Sequence, residues 1–365
     1  MLKNVLSAVI AVVLMSLIFV GCEKTKTTDD EHTHTHEWLE ATCESPKKCA
    51  VCDATEGDAL PHEYTNGTCT VCGTDNPELL ADYTQAQELI KSGKYEEAYK
   101  KLKELGDFKD VKILLSRFHY ALVTSRGSGS YSKDISITYD ENNLPKQKTT
   151  INSDGSKTYV DFTYDEKGYL ISTVHTNTNG TRDYYDFVYD SNGRVIKEVL
   201  EDESYVKNYY YGTNGRVSRI FVDYSSGSDN TYEYTYDSSG NLIKESYTNI
   251  FGKTIHDYTY DKNGKLIKTV STYSTENKDI TEYTYDASGK LIKEFTTKYT
   301  NATYTYTYEY DANGNLIKET YQSIGSPIIT KYTYKLVYIP YDIDDLSNNT
   351  KYLLEDYGIV LNSVN

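Results

Sequence analysis

The chain has 365 residues, a net charge of −16 and a pI near 4.9. Such acidity disfavours binding to phosphate backbones, which needs clustered Lys and Arg, so no nucleic-acid partner is expected. The charge instead keeps a long exposed surface soluble.

Residues 1–21 read as a targeting segment. Lys3 gives it a positive start, and Val5 to Val20 is a nearly unbroken apolar run of sixteen residues, too short for a comfortable membrane span. Phe19-Val20-Gly21-Cys22 resembles a bacterial lipobox. The resemblance implies a lipoprotein signal peptide, acylation of Cys22, and a chain anchored on the extracytoplasmic face of the cell membrane. Two acyl chains suffice for stable anchoring. Residues 22–33 are polar and form the expected flexible tether. His32 and His34, which alternate toward His36, read as adventitious metal binders.

Residues 34–77 hold two C-x-x-C knuckles, Cys49-Ala-Val-Cys52 and Cys69-Thr-Val-Cys72. Their separation is near that of a structural zinc site, which four thiolates at Cys49, Cys52, Cys69 and Cys72 would close tetrahedrally. An alternative set takes Cys43, Cys49, Cys52 and one of His36 or His62. Disulfides remain a rival outside the cytoplasm, although five cysteines cannot all pair within the chain. The stretch is also duplicated: His36-Glu-Trp-Leu-Glu-Ala-Thr-Cys43 aligns with His62-Glu-Tyr-Thr-Asn-Gly-Thr-Cys69. It resembles short, zinc-ribbon-like Cys/His modules in surface proteins of anaerobic gut bacteria.

Residues 78–125 are expected to be a helical spacer opened by Pro77. The run Ala86 to Leu105 resembles a tetratricopeptide helix pair through Gly93, Tyr95, Ala98 and Leu102. Gly106 ends the second helix. Asp107 to Leu122 predicts a third helix with Val111, Leu114, Leu115, Phe118 and Leu122 on its apolar side, and the section is expected to cap the first edge of a sheet. Arg126 to Ser130 reads as a flexible joint.

Residues 131–341 are one unit written eight times. Tyr139, Tyr164, Tyr189, Tyr211, Tyr236, Tyr260, Tyr285 and Tyr310 each precede Asp, or Gly212 in one copy, at steps of 22 to 25 residues. A fixed period of this kind signals a repeat architecture. Within Thr231 to Tyr247 the first arm alternates Tyr232, Tyr234 and Tyr236 with Glu233 and Thr235, the period of a strand. Asp237-Ser-Ser-Gly240 then predicts a three-residue loop with a bulge, for which Gly supplies positive φ. Asn143 replaces that Gly in the first copy, and Asn tolerates the same conformation. Tyr236 is expected to face Leu242, and Thr235 to face Ile243. One face would then carry Tyr and Leu, the other Thr, Ile and acidic residues. The class is mainly β: a repetitive antiparallel hairpin array with a small Cys/His module and a short helical spacer. Residues 342–365 would cap the last edge, with Asp344 or Ser347 as helix starts.

The runs Tyr285-Asp-Ala-Ser-Gly-Lys-Leu291 and Tyr310-Asp-Ala-Asn-Gly-Asn-Leu316 resemble the Rhs-type YD-repeat family. Its long arrays form closed β-shells around C-terminal toxins, and some members are surface or sugar-binding proteins. Eight copies look too few for a large shell, and the chain after Tyr341 is too short for a toxin domain. No nucleophile elbow, phosphate loop or metalloprotease helix is present, so no enzyme is expected. The expected role is binding or adhesion at the cell surface, with a polysaccharide or surface protein as ligand. Its aromatic platform would be Tyr232, Tyr234, Tyr236, Tyr258, Tyr260, Tyr283, Tyr285, Tyr308 and Tyr310. The alternatives are a purely structural or secretion-related scaffold and a toxin-shell remnant.

Overall fold

The computed structural model describes residues 35–128, 133–341, 353–354, 358–359 and 361–363. Cys22, His32, His34, Asp344 and Ser347 lie outside them. The chain divides into two compact units, one holding most of the Cys/His module and the other running from Asp75 onward.

In the second unit each repeat is a hairpin, and the turn chemistry shows why. Asp237 Oδ1 accepts from the Ser239 and Asn241 N–H groups at 2.9 and 2.8 Å. The Gly240 N–H closes the turn on the Asp237 carbonyl at 3.1 Å. Gly240 has φ +87°, a conformation that costs an L side chain about 1–2 kcal/mol. The bulge follows at once. Tyr236 pairs with Leu242, as expected, but Thr235 pairs with Lys244, not Ile243, because Ile243 is the inserted residue. The same shift recurs at Tyr260/Leu266, Tyr285/Leu291 and Tyr310/Leu316.

That single insertion reverses the expected faces of the second arm beyond it. Beyond it Glu245 lies opposite Tyr234, Glu294 opposite Tyr283, and Glu319 opposite Tyr308. The tyrosine face therefore also carries carboxylates. The other face carries cross-strand pairs such as Lys244 with Asp257 and Lys268 with Glu282.

The array is not an open sheet with capped edges. Strand Phe118–Gly127 pairs along its length with strand Ile328–Tyr338, from Phe118 opposite Tyr338 to Gly127 opposite Thr330. This pairing closes the described strands into an antiparallel barrel of 18. It also corrects two expectations. Phe118 to Leu122 are strand, not the end of a third helix, and Arg126 and Gly127 are paired strand, not a joint. The run Phe-His-Tyr-Ala-Leu-Val-Thr is aromatic and β-branched, so once a strand is available to pair with, weak helical patterning is overridden.

The tyrosine face points into the barrel. Buried Phe162, Leu170, Phe187, Val195, Tyr209, Ile220 and Val222 share one core with Leu353, Leu354, Ile359 and Leu361 of the C-terminal segment. A side chain added at Gly358 would approach inward-facing Lys148 Nζ to 3.6 Å. The described C-terminal residues thus pack into the core of the barrel, and Leu361–Ser363 also pairs along His119 to Ala121 of strand Phe118–Gly127.

Helices α1 (Pro77–Lys91), α2 (Tyr95–Leu105) and α3 (Val111–Ser116) pack over the closing seam. Asn76 caps α1, accepting from the Glu78 and Leu79 N–H groups at 2.9 and 3.3 Å. Gly106 terminates α2. Ala98, Leu102 and Val111 are fully buried in a cluster with Phe118, Tyr120 and Leu336 of the seam strands. The section covers a seam because the barrel has no first edge to cap.

Candidate metal centres and the tyrosine wall

The Cys/His module builds two groups of metal-ligating atoms. Cys43, His62, Cys69 and Cys72 form one, and His36, Cys49 and Cys52 form the other; within each, all ligand atoms lie within 4.8 Å. The expected single site of Cys49, Cys52, Cys69 and Cys72 is therefore not assembled: each knuckle stays with the histidine that precedes it. The alternative set is divided too, since Cys43 joins His62 while Cys49 and Cys52 join His36. No disulfide joins any of the five described cysteines.

The donor sets fit a zinc-class ion. Bond lengths of about 2.3 Å to sulfur and about 2.0–2.1 Å to nitrogen imply tetrahedral edges of roughly 3.8 Å between sulfurs and 3.5 Å between sulfur and nitrogen. Cys43 Sγ and Cys69 Sγ are 3.7 Å apart. Cys72 Sγ lies 3.4 Å from His62 Nδ1, and Cys52 Sγ 3.5 Å from His36 Nδ1. A disulfide would bring the sulfurs to about 2.05 Å.

Local structure orients these ligands. His36 stacks on Trp38 with centroids 4.9 Å apart, and His62 on Tyr64 at 5.7 Å, both at 23° between planes. The Val51 N–H donates to Cys49 Sγ at 3.4 Å. Backbone N–H groups of Cys72 and Val71, with His62 between them in strength, lower the Cys69 thiol to about 6. Burial and the neighbouring Cys72 and Cys69 push Cys43 up to about 12. A divalent ion would remove that conflict, because a coordinating thiol is deprotonated outright.

The nine tyrosines of the expected ligand platform all lie on the inward face and are half-buried. Four have their hydroxyls committed to the preceding repeat: Tyr236 to Val217 O, Tyr260 to Leu242 O, Tyr285 to Leu266 O and Tyr310 to Leu291 O, at 2.7 to 2.9 Å. Tyr258 donates to Glu245 at 2.9 Å and Tyr308 to Glu294 at 2.8 Å. Tyr283 lies 3.1 Å from Thr269 Oγ1. Tyr232 packs on Tyr247 at 4.8 Å, and Tyr234 packs against the apolar core. Glu245, Glu294 and Glu319 were missed as wall residues. The signal that could have found them is the bulge itself, which shifts residue parity in every copy.

Residues 285–322 match the RHS Repeat family. No curated protein matches the chain. Among solved structures it is similar to the TcdB2-TccC3-Cdc42 crystal structure, at 17% identity over 53% of this chain and 12% of that one, with a TM-score of 0.32. Similarity to the Photorhabdus luminescens Tc holotoxin pore is 16% over 56% of this chain and 13% of that one, with a TM-score of 0.31. A porin-like protein from Bacteroides uniformis matches at 12% identity, covering 60% of this chain and 98% of its own, with a TM-score of 0.37. Residues 285–322 thus carry the RHS-type repeat, and six of the eight barrel hairpins share its Tyr-Asp-x-x-Gly turn, with Asn143 and Gly212 as the departures in the other two.

Proposed function

We propose that this chain is a lipid-anchored, extracytoplasmic, non-enzymatic scaffold, in which an RHS-type barrel accompanies a zinc-stapled Cys/His module. One observation carries the scaffold reading. The YD tyrosines turn inward and bond the preceding repeat, so they hold the barrel together instead of forming an exposed aromatic strip. The outward face supports it further. Lys244, Asp257, Lys268, Glu282 and Lys293 would each oppose a lipid environment, where Lys or Arg at the midplane costs about 2–4 kcal/mol. Zinc at Cys43, His62, Cys69 and Cys72 acts in this reading as a folding staple for a segment with little apolar core.

Polysaccharide binding is the second reading. It is favoured by inward tyrosine rings that remain half-exposed beside Glu245 and Glu294. A glycan array probed with the mature chain at two salt concentrations separates the two. Silence across a broad panel supports the scaffold. Salt-insensitive binding lost in Tyr258→Ala/Tyr283→Ala, with the β signal retained, would replace it with sugar recognition.

A further inference from the structure

We propose that the module holds two metal ions of the zinc class, the second bound by His36, Cys49 and Cys52. The proposal rests on the zinc reading of the Cys43, His62, Cys69 and Cys72 centre and extends it.

The two groups are built alike. In each, a histidine Nδ1 approaches the second cysteine of a knuckle, at 3.5 Å for His36 and Cys52 and 3.4 Å for His62 and Cys72. Both rings are held by an aromatic residue two positions on, at the same 23° tilt. The first knuckle cysteine is buried in both, Cys49 as well as Cys69. Val51 and Val71 supply equivalent backbone N–H groups to those sulfurs, the hydrogen bond that stabilises a thiolate. Geometry that suits an ion in one repeat therefore suits it in the other.

Cys43 breaks the symmetry. It lies in sequence between His36 and Cys49, within the first repeat, yet its sulfur completes the group of the second. An ion at the four-ligand centre thus ties the first repeat to the second. The ion at His36, Cys49 and Cys52 fastens the first repeat to itself. Loss of the second ion should loosen one repeat, whereas loss of the first separates both.

The test is metal stoichiometry of the mature chain after zinc loading and dialysis, measured by elemental mass spectrometry. Two ions per chain are expected, falling to one in Cys49→Ser/Cys52→Ser and to one in Cys69→Ser/Cys72→Ser. Cobalt substitution gives an independent readout: each double variant should lose part of the thiolate-to-cobalt absorption and retain the rest. His36→Ala, a milder change, should weaken one ion by more than the roughly 10–100-fold that loss of an outer-shell partner costs. One ion per chain, unaffected by Cys49→Ser/Cys52→Ser or His36→Ala, would overturn the second centre and leave the first intact. No bound metal, with the cysteines in disulfides, would remove both readings.

Discussion

The Tyr260 hydroxyl donates to the Leu242 carbonyl of the preceding repeat at 2.8 Å. Leu242 is the last paired residue before the Ile243 bulge, where the ladder is disrupted. The contact recurs from copy to copy. Tyr164, Tyr189 and Tyr211 reach Pro145, Leu170 and Val195 carbonyls at 2.6 to 2.9 Å, and Tyr139 reaches Leu122. Each repeat therefore satisfies an acceptor that its neighbour's bulge exposes.

Removing one hydroxyl tests this directly. Tyr260→Phe should destabilise the barrel by about 1–2 kcal/mol, since the ring stays but a partly buried carbonyl loses its donor. Denaturant unfolding checks it. An unchanged midpoint would mean that water replaces the hydroxyl without cost.

Asn143 holds positive φ at 60° where the other copies use Gly. Its side chain also donates to the Tyr95 hydroxyl of α2 at 2.9 Å and to the Tyr338 carbonyl at 3.1 Å. Asn143→Gly relieves backbone strain yet removes both bonds, so a net loss of about 1 kcal/mol is expected. A stabilised variant would show that the turn, not the tie to the helices, governs this position.

Stability should fall on the alkaline side. Burial, then Glu319, raises Tyr332 to about 12, and burial, then Asp311, raises Tyr334 to about 12. Between the unfolded value near 10 and that folded value, the unfolded chain releases protons that the barrel retains. This stabilisation is complete below pH 10 and is lost as pH rises toward 12. Phenolate absorbance followed together with the far-ultraviolet signal should show late ionisation coinciding with unfolding; ionisation at the ordinary pH in an intact barrel would contradict the inward packing.

Metal removal should act on one unit only. A chelator is expected to open residues 35–65 and 69–74 to proteolysis, while the barrel unit, whose core is apolar and separately closed, resists. Cleavage within the hairpins at the same rate would show that the barrel depends on the metal.

The amino terminus carries its own expectation. Cys22→Ala, or inhibition of lipoprotein processing, should leave a larger precursor. Unchanged size in both cases would remove the lipid anchor.

The sequence by itself determined what is local. Tyr-Asp-x-x-Gly specifies hairpin, loop and period, because an Asp side chain, a positive-φ position and β-favouring arms act within a few residues. The duplicated His36 and His62 likewise foreshadowed two similar knuckles. Tertiary structure decided the rest. Phe118 opposite Tyr338 joins residues 220 apart in the chain, and that pairing made a strand of an apparent helix and a barrel of an apparent open array. Tertiary contacts within the Cys/His module likewise assigned Cys43 to His62. Those outcomes depend on which distant partner is available, which is not a property of a short window of sequence, whereas the place of Glu245 beside the tyrosines follows from the bulge that each hairpin loop carries.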